Sequence, residues 1–148
     1  MPIRAPARRR AGDAGADMIG EPAGTRAAMQ RLALVVDDQR SDRKRLATIL
    51  EGAGWQVIEA GDGGQAVATA RSERPAIVFM DIMMPGMDGL QACRRLGADA
   101  ATRDIPVVFV STKNQRADQV WARAQGGRDL IGKPFDATAV LDALRFVS

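Results

Sequence analysis

The chain has 148 residues, 46% of them hydrophobic and 26% charged, which suits one globular domain with a real core. It has no histidine and one cysteine, Cys93. That excludes imidazole acid–base catalysis, a phosphohistidine on this chain, zincin-type and multi-cysteine zinc sites, and a disulfide framework. The net charge of +3 owes much to residues 1–30, where Arg4, Arg8, Arg9, Arg10 and Arg26 face only Asp13, Asp17 and Glu21.

Residues 1–30 are Ala, Gly, Pro and Arg with few large apolar side chains. They cannot bury enough surface to offset ordering, and a disordered basic tail is expected there. Arg8-Arg9-Arg10 without interleaved aromatics is a weak nucleic-acid or lipid signal. Asp13, Asp17 and Glu21 break any secretory signal, and Met18 and Met29 are alternative starts. No run of about 18 apolar residues occurs, so no membrane span and a cytoplasmic location are expected.

Residues 31–148 read as one domain of alternating strands and helices. Leu32-Ala33-Leu34-Val35-Val36 is a continuous apolar run ending at Asp37-Asp38, as in a strand buried on both faces. Ser41 is the expected cap of a helix whose stripe is Leu46, Ile49, Leu50 and Ala53. Trp55 to Ala60 reads as a second strand, Gly61 to Gly64 as a turn and Gln65 to Ser72 as a short helix. Ala76 to Asp81 is a third strand ending in an acid, followed by the loop Met84 to Gly89 and a helix Leu90 to Leu96. Cys93 falls on the apolar face of that helix and reads as a small core residue. Pro106 to Ser111 is a fourth strand. Residues 114–125 are helical in pattern, with Ala117, Val120 and Ala124 as the core stripe and Trp121 beside it. Leu130-Ile131 is a short fifth strand ending before Lys133-Pro134, and Asp136 caps a last helix with Val140, Leu141, Leu144 and Val147 on its face.

Five strand–helix units in succession predict an α/β fold, a doubly wound parallel sheet with helices on both faces. Ligands of such sheets bind beyond the carboxyl ends of the strands. Those ends carry Asp37, Asp38, Asp81, Ser111, Thr112 and Lys133. Three carboxylates at one rim repel one another and call for a cation. With no imidazole or thiolate cluster, oxygen ligands select Mg²⁺, or Mn²⁺ in its place, and Mg²⁺ of this kind suits phosphoryl chemistry.

Five elements in order resemble the receiver domain of two-component response regulators. They are Val35-Val36-Asp37-Asp38, Val78-Phe79-Met80-Asp81, Met84-Pro85-Gly86-Met87-Asp88-Gly89, Val110-Ser111 and Lys133-Pro134-Phe135. The resemblance covers residues 31–148 and implies a flavodoxin-like (βα)5 fold with strand order 2-1-3-4-5. Ser111-Thr112-Lys113 with Val120-Trp121 resembles the single-domain regulators of twitching motility and chemotaxis. The resemblance makes Asp81 the phosphoacceptor, supplied by a sensor histidine kinase or its phosphotransfer domain. Asp37, Asp38, Asp81 and the Met83 backbone carbonyl would hold Mg²⁺. Lys133 and Ser111 would contact the phosphoryl group, with a cis bond expected at Lys133–Pro134. Family members commonly carry Tyr or Phe three residues before the lysine, and this chain has Leu130 there.

The chain ends at Ser148, so no DNA-binding output domain is expected. Output would then be binding to a downstream target protein, or drainage of phosphate from a shared kinase. The expected chemistry is self-catalysed phosphoryl transfer and autodephosphorylation, not turnover of a substrate. A Mg²⁺-dependent phosphatase with an Asp nucleophile is the competing reading. Its haloacid-dehalogenase type needs a second acid two residues after the nucleophile, where this chain has Met83. A non-phosphorylated scaffold would normally have lost one of the acids or the lysine, and all are kept.

Overall fold

The computed structural model describes residues 31–147 and the backbone of residues 9–10. Strands β1 (Arg9–Arg10), β2 (Leu32–Val36), β3 (Gln56–Ala60), β4 (Ile77–Met80), β5 (Val107–Ser111) and β6 (Asp129–Gly132) form one sheet. Its order is β1-β3-β2-β4-β5-β6 and every pairing is parallel. For the five strands β2 to β6 this is the expected order 2-1-3-4-5. The register sets Val36 beside Met80, Met80 beside Phe109 and Ser111 beside Gly132, so β2 and β4 end together and β5 and β6 run two residues further at the same edge.

The continuous apolar runs are explained by two cores, one on each face of the sheet. Along β2, Leu34 and Val36 face one core and Ala33 and Val35 the other. Helices α1 (Arg40–Gly52) and α5 (Ala137–Asp142) cover one face through Leu46, Leu50 and Val140. Helices α2 (Gly63–Glu73), α3 (Gly89–Ala98) and α4 (Arg116–Ala124) cover the other through Ala66, Ala70, Cys93, Leu96 and Ala122. Phe79 and Phe109 are the largest fully buried side chains, one on each face, and such burial stabilises by about 1.5–3 kcal/mol apiece.

Three helices start on aspartates. Asp62, Asp88 and Asp136 accept from the backbone N–H three residues on, and Asp88 closes a capping box with Gln91. The expected cap at Ser41 is corrected: α1 begins at Arg40, its N-cap is Gln39, and no side chain caps it. Two expected core faces also shift. In α4 the inward residue is Ala122, while Val120 and Trp121 are exposed. In α5 Leu141 is exposed and Val140 carries the packing. No helix among the described residues is long and apolar enough to cross a membrane.

Most of the expected disordered tail lies outside the described residues. Arg9 and Arg10 differ from that expectation, pairing with Ile58 and Glu59 at the edge of β3. A two-residue strand adds few hydrogen bonds, each of small net value, against the entropy of ordering its flanks. Removal of residues 1–28 is therefore expected to change the unfolding free energy by less than about 0.5 kcal/mol. Urea unfolding of the full and shortened chains checks this, and a larger loss would show that the segment packs on the domain.

Candidate functional site

The ends of β2, β4, β5 and β6 carry the residues singled out there, with Thr112 exposed just past β5. Asp37 and Asp38 follow β2, Asp81 follows β4, Ser111 ends β5 and Lys133 follows β6. Asp37, Asp81 and Ser111 are buried, and Asp38 is exposed at the mouth. Each acid offers a carboxylate oxygen, and these oxygens lie within 4.8 Å of one another. A donor set of carboxylates alone fits a hard divalent cation.

Lys133 is the centre of the arrangement. Its Nζ donates to Asp37 Oδ2 at 2.7 Å, Asp42 Oδ2 at 3.0 Å and Asp81 Oδ2 at 3.2 Å. The peptide bond between Lys133 and Pro134 is cis, as expected. The Lys133 N–H donates to the Ser111 carbonyl at 2.9 Å, which ties the ends of β5 and β6 together.

Backbone donors orient the acids. The Gln39 N–H donates to Asp37 Oδ1 at 2.9 Å, and the Met83 N–H donates to Asp81 Oδ1 at 3.2 Å. The Met83 side chain is exposed. Ser111 Oγ accepts from the Lys113 N–H at 3.1 Å and keeps its own proton to donate. Arg43 straps the loop after β2, donating to the Asp37 carbonyl at 2.7 Å and to Glu59 Oε1 at 3.1 Å. Behind Asp81, the start of α3 lies against the strand end: the Gly89 N–H donates to the Ile82 carbonyl at 2.9 Å. A Cβ at Gly89 would overlap the Asp81 carbonyl oxygen, so no other residue fits there without moving the strand end.

The electrostatics follow from four carboxylates around one ammonium. Burial raises the Asp37 carboxyl above its ordinary value, against the lowering effect of the Lys133 and Gln39 hydrogen bonds, and the Asp81 charge raises it further. Burial alone would lower the Lys133 ammonium. The hydrogen bonds to Asp37 and Asp42 and the charges of Asp37 and Asp81 outweigh it, and the ammonium is held above its ordinary value. The two shifts have different causes: burial leads at Asp37, and the surrounding carboxylates lead at Lys133.

Sequence reasoning missed Asp42 and Arg43. Asp42 sits in the first turn of α1, where an acid is ordinary, and nothing in the sequence ties it to Lys133. Leu130 is packed in the core beside Phe109. Cys93 is buried, its thiol is pushed up by burial to about 11 and donates to the Gln125 carbonyl, which fits a packing role.

Comparison with known proteins agrees with this geometry. The response regulator receiver domain family matches residues 33–145. Protein PilH of Pseudomonas aeruginosa is 46% identical over 114 residues, covering 77% of this chain and 94% of PilH. The DNA-binding response regulator MtrA of Mycolicibacterium paratuberculosis is 37% identical over 117 residues, and the chain spans 51% of its length. Among solved structures, the Vibrio cholerae chemotaxis protein CheY4 superposes with a TM-score of 0.75 at 27% identity, covering 80% of this chain and 99% of CheY4. The receiver domain of the sensor histidine kinase PA1611 from Pseudomonas aeruginosa, with magnesium coordinated in its cleft, superposes at 0.72 and 26% identity over 78% of this chain and 94% of its own.

Proposed function

The chain belongs to the response regulator receiver domain family of two-component signalling, and from that membership we propose that it is a phosphorylation switch. Asp81 takes a phosphoryl group from the phosphohistidine of a sensor kinase or its phosphotransfer domain. An Asp81 oxygen forms a bond to phosphorus as the bond from phosphorus to the histidine nitrogen breaks. The observation that carries this reading is the buried Asp81 carboxylate with the Lys133 ammonium at 3.2 Å, at the mouth of a parallel sheet. In this reading Lys133 takes a phosphoryl oxygen, and the Ser111 hydroxyl donates to another.

Asp37, Asp38 and Asp81, with the Met83 carbonyl, would hold Mg²⁺. The ion would offset negative charge on the transferring group. The donor set and the magnesium named for the PA1611 receiver domain support this assignment. The Met83 N–H fixes Asp81 Oδ1, so the nucleophile is held without help from a base. The phosphohistidine belongs to the partner in this reading, so the transfer asks for no histidine on this chain.

Output is binding to a target protein, in motility or chemotaxis-type signalling in the cytoplasm. The names of PilH and CheY4 support the setting. The surface is supported by α4, where Val120 is 64% and Trp121 57% exposed. Exposed tryptophans are frequent anchors of protein interfaces. Addition of beryllium fluoride with Mg²⁺, a mimic of the phosphoryl group, is expected to shift amide resonances at Gln119, Arg123 and Leu130. Gln119 and Arg123 lie on α4, which contacts β6, and Leu130 lies on β6 itself. Shifts confined to the loops after β2 and β4 would point instead to a phosphate sink for a shared kinase.

The chemistry is tested by incubation with acetyl phosphate and Mg²⁺ followed by intact mass. One slowly hydrolysed adduct per chain is the expected result. Continuous turnover would make the protein a phosphatase, and no reaction would make it a scaffold.

A further inference from the structure

An ammonium has three N–H donors, and in Lys133 all three are taken by carboxylates. Two of these, Asp37 and Asp81, belong to the strand-end site. The third, Asp42, comes from the first turn of α1 and lies outside the set of acids that would hold a metal. Lys133 can meet a phosphoryl oxygen only by releasing one partner.

The bond to Asp37 is the shortest, at 2.7 Å, and the Asp37 side chain is 1% exposed. Release there would strand a buried charge. The Asp42 side chain is 29% exposed, so water can take over when it lets go.

We propose that Asp42 is a positioning residue that competes with the phosphoryl group for Lys133 and so sets how readily the site is phosphorylated. The proposal rests on the phosphorylation reading above. With acetyl phosphate, an Asp81 oxygen forms the new bond to phosphorus and acetate leaves with the electrons of the old one. Lys133 turns from Asp42 to a phosphoryl oxygen as that happens. Asp42→Asn keeps the shape and an acceptor oxygen but weakens the hold on Lys133 from charge-assisted to neutral.

The experiment uses the full chain at saturating Mg²⁺, with saturation set for each variant by calorimetry. Asp42→Asn should take up the phosphoryl group roughly five- to ten-fold faster than wild type, about what the loss of one charge-assisted bond allows. It should also bind beryllium fluoride more tightly, a readout that needs no transfer. Asp42→Glu should return both values toward wild type. In a Lys133→Met background Asp42→Asn should change neither value. A rate and affinity within two-fold of wild type would overturn the proposal. So would an acceleration that persists without Lys133, which would make Asp42 a long-range charge only. A wild-type chain that forms no adduct removes the phosphorylation reading, and this inference with it. A wild-type adduct with an unchanged Asp42→Asn removes the inference alone.

Discussion

Asp81→Asn is expected to form no acyl phosphate, to be at least as stable as wild type without metal, and to gain less stability from Mg²⁺. The amide cannot act as the nucleophile, so uptake from acetyl phosphate falls to nothing. The stability half follows from the charge around Lys133. Asp37, Asp42 and Asp81 all lean on one ammonium, with Asp38 at the mouth. The charge of Asp81 raises the Asp37 carboxyl, so removing it relieves Asp37. A metal bound only by the folded chain adds RT ln(1 + [L]/Kd), about 1.4 kcal/mol at ten times Kd. The asparagine variant offers one carboxylate fewer and should fall short of that. Asp38→Ala should lose Mg²⁺ binding and phosphorylation while keeping the nucleophile. Urea titrations in chelator and in Mg²⁺, paired with intact mass, read all of this. An adduct on Asp81→Asn at the wild-type rate would show that the nucleophile lies elsewhere.

Lys133→Met should destabilise the metal-free protein at neutral pH by about 3 kcal/mol, the low end for breaking a buried ion pair by removing one partner. Asp37 and Asp81 would be left buried without their counter-charge. The pH dependence follows from the direction of each shift. Lys133 is held above its ordinary 10.5, so its stabilisation is present below that value and is lost as pH rises through its higher folded value. Asp37 is held above 3.8, so its favourable protonation is present below that value and is lost as pH rises through its raised folded value. At neutral pH the wild type therefore leans on Lys133 to carry an ionised Asp37. Without Lys133 the Asp37 carboxyl rises further, and mildly acidic buffer should recover much of the loss by protonating it. Mg²⁺ should also recover part of it, as a second source of positive charge. Unfolding of the variant at neutral and mildly acidic pH, with and without Mg²⁺, checks both recoveries. A loss that ignores both pH and metal would place its origin in packing of the lysine stem.

The strands were readable because both faces of this sheet are covered. All five residues of β2, from Leu32 to Val36, are buried, which leaves a polar residue no position before the strand ends. The polar positions are thereby pushed to the rim, and Asp37, Asp81 and Lys133 stand out against the apolar runs before them. Helix faces were less readable. In α4 the periodic positions were small alanines and one valine, and Ala122 faces the sheet while Val120 does not. Asp42 was illegible for a different reason. In the sequence it is one polar residue in a helical first turn, where acids are ordinary. Its meaning comes from a lysine 91 positions later, brought beside it only by the fold. Arg43 is similar, since it lies on α1 while its partner Glu59 lies on β3.

The link between Lys133 and Asp37 spans 96 positions, from the loop after β2 to the loop after β6. Closing so long a loop comes before any gain from the contact, so the site is expected to assemble late, and Asp37→Asn and Lys133→Met should change the unfolding rate more than the refolding rate in stopped-flow measurements. Interactions absent from the folding transition state act on the rate of escape from the native state. A cation seated among these acids would then act as a brake on unfolding, and the speed with which the sheet first forms would be left to its apolar strands.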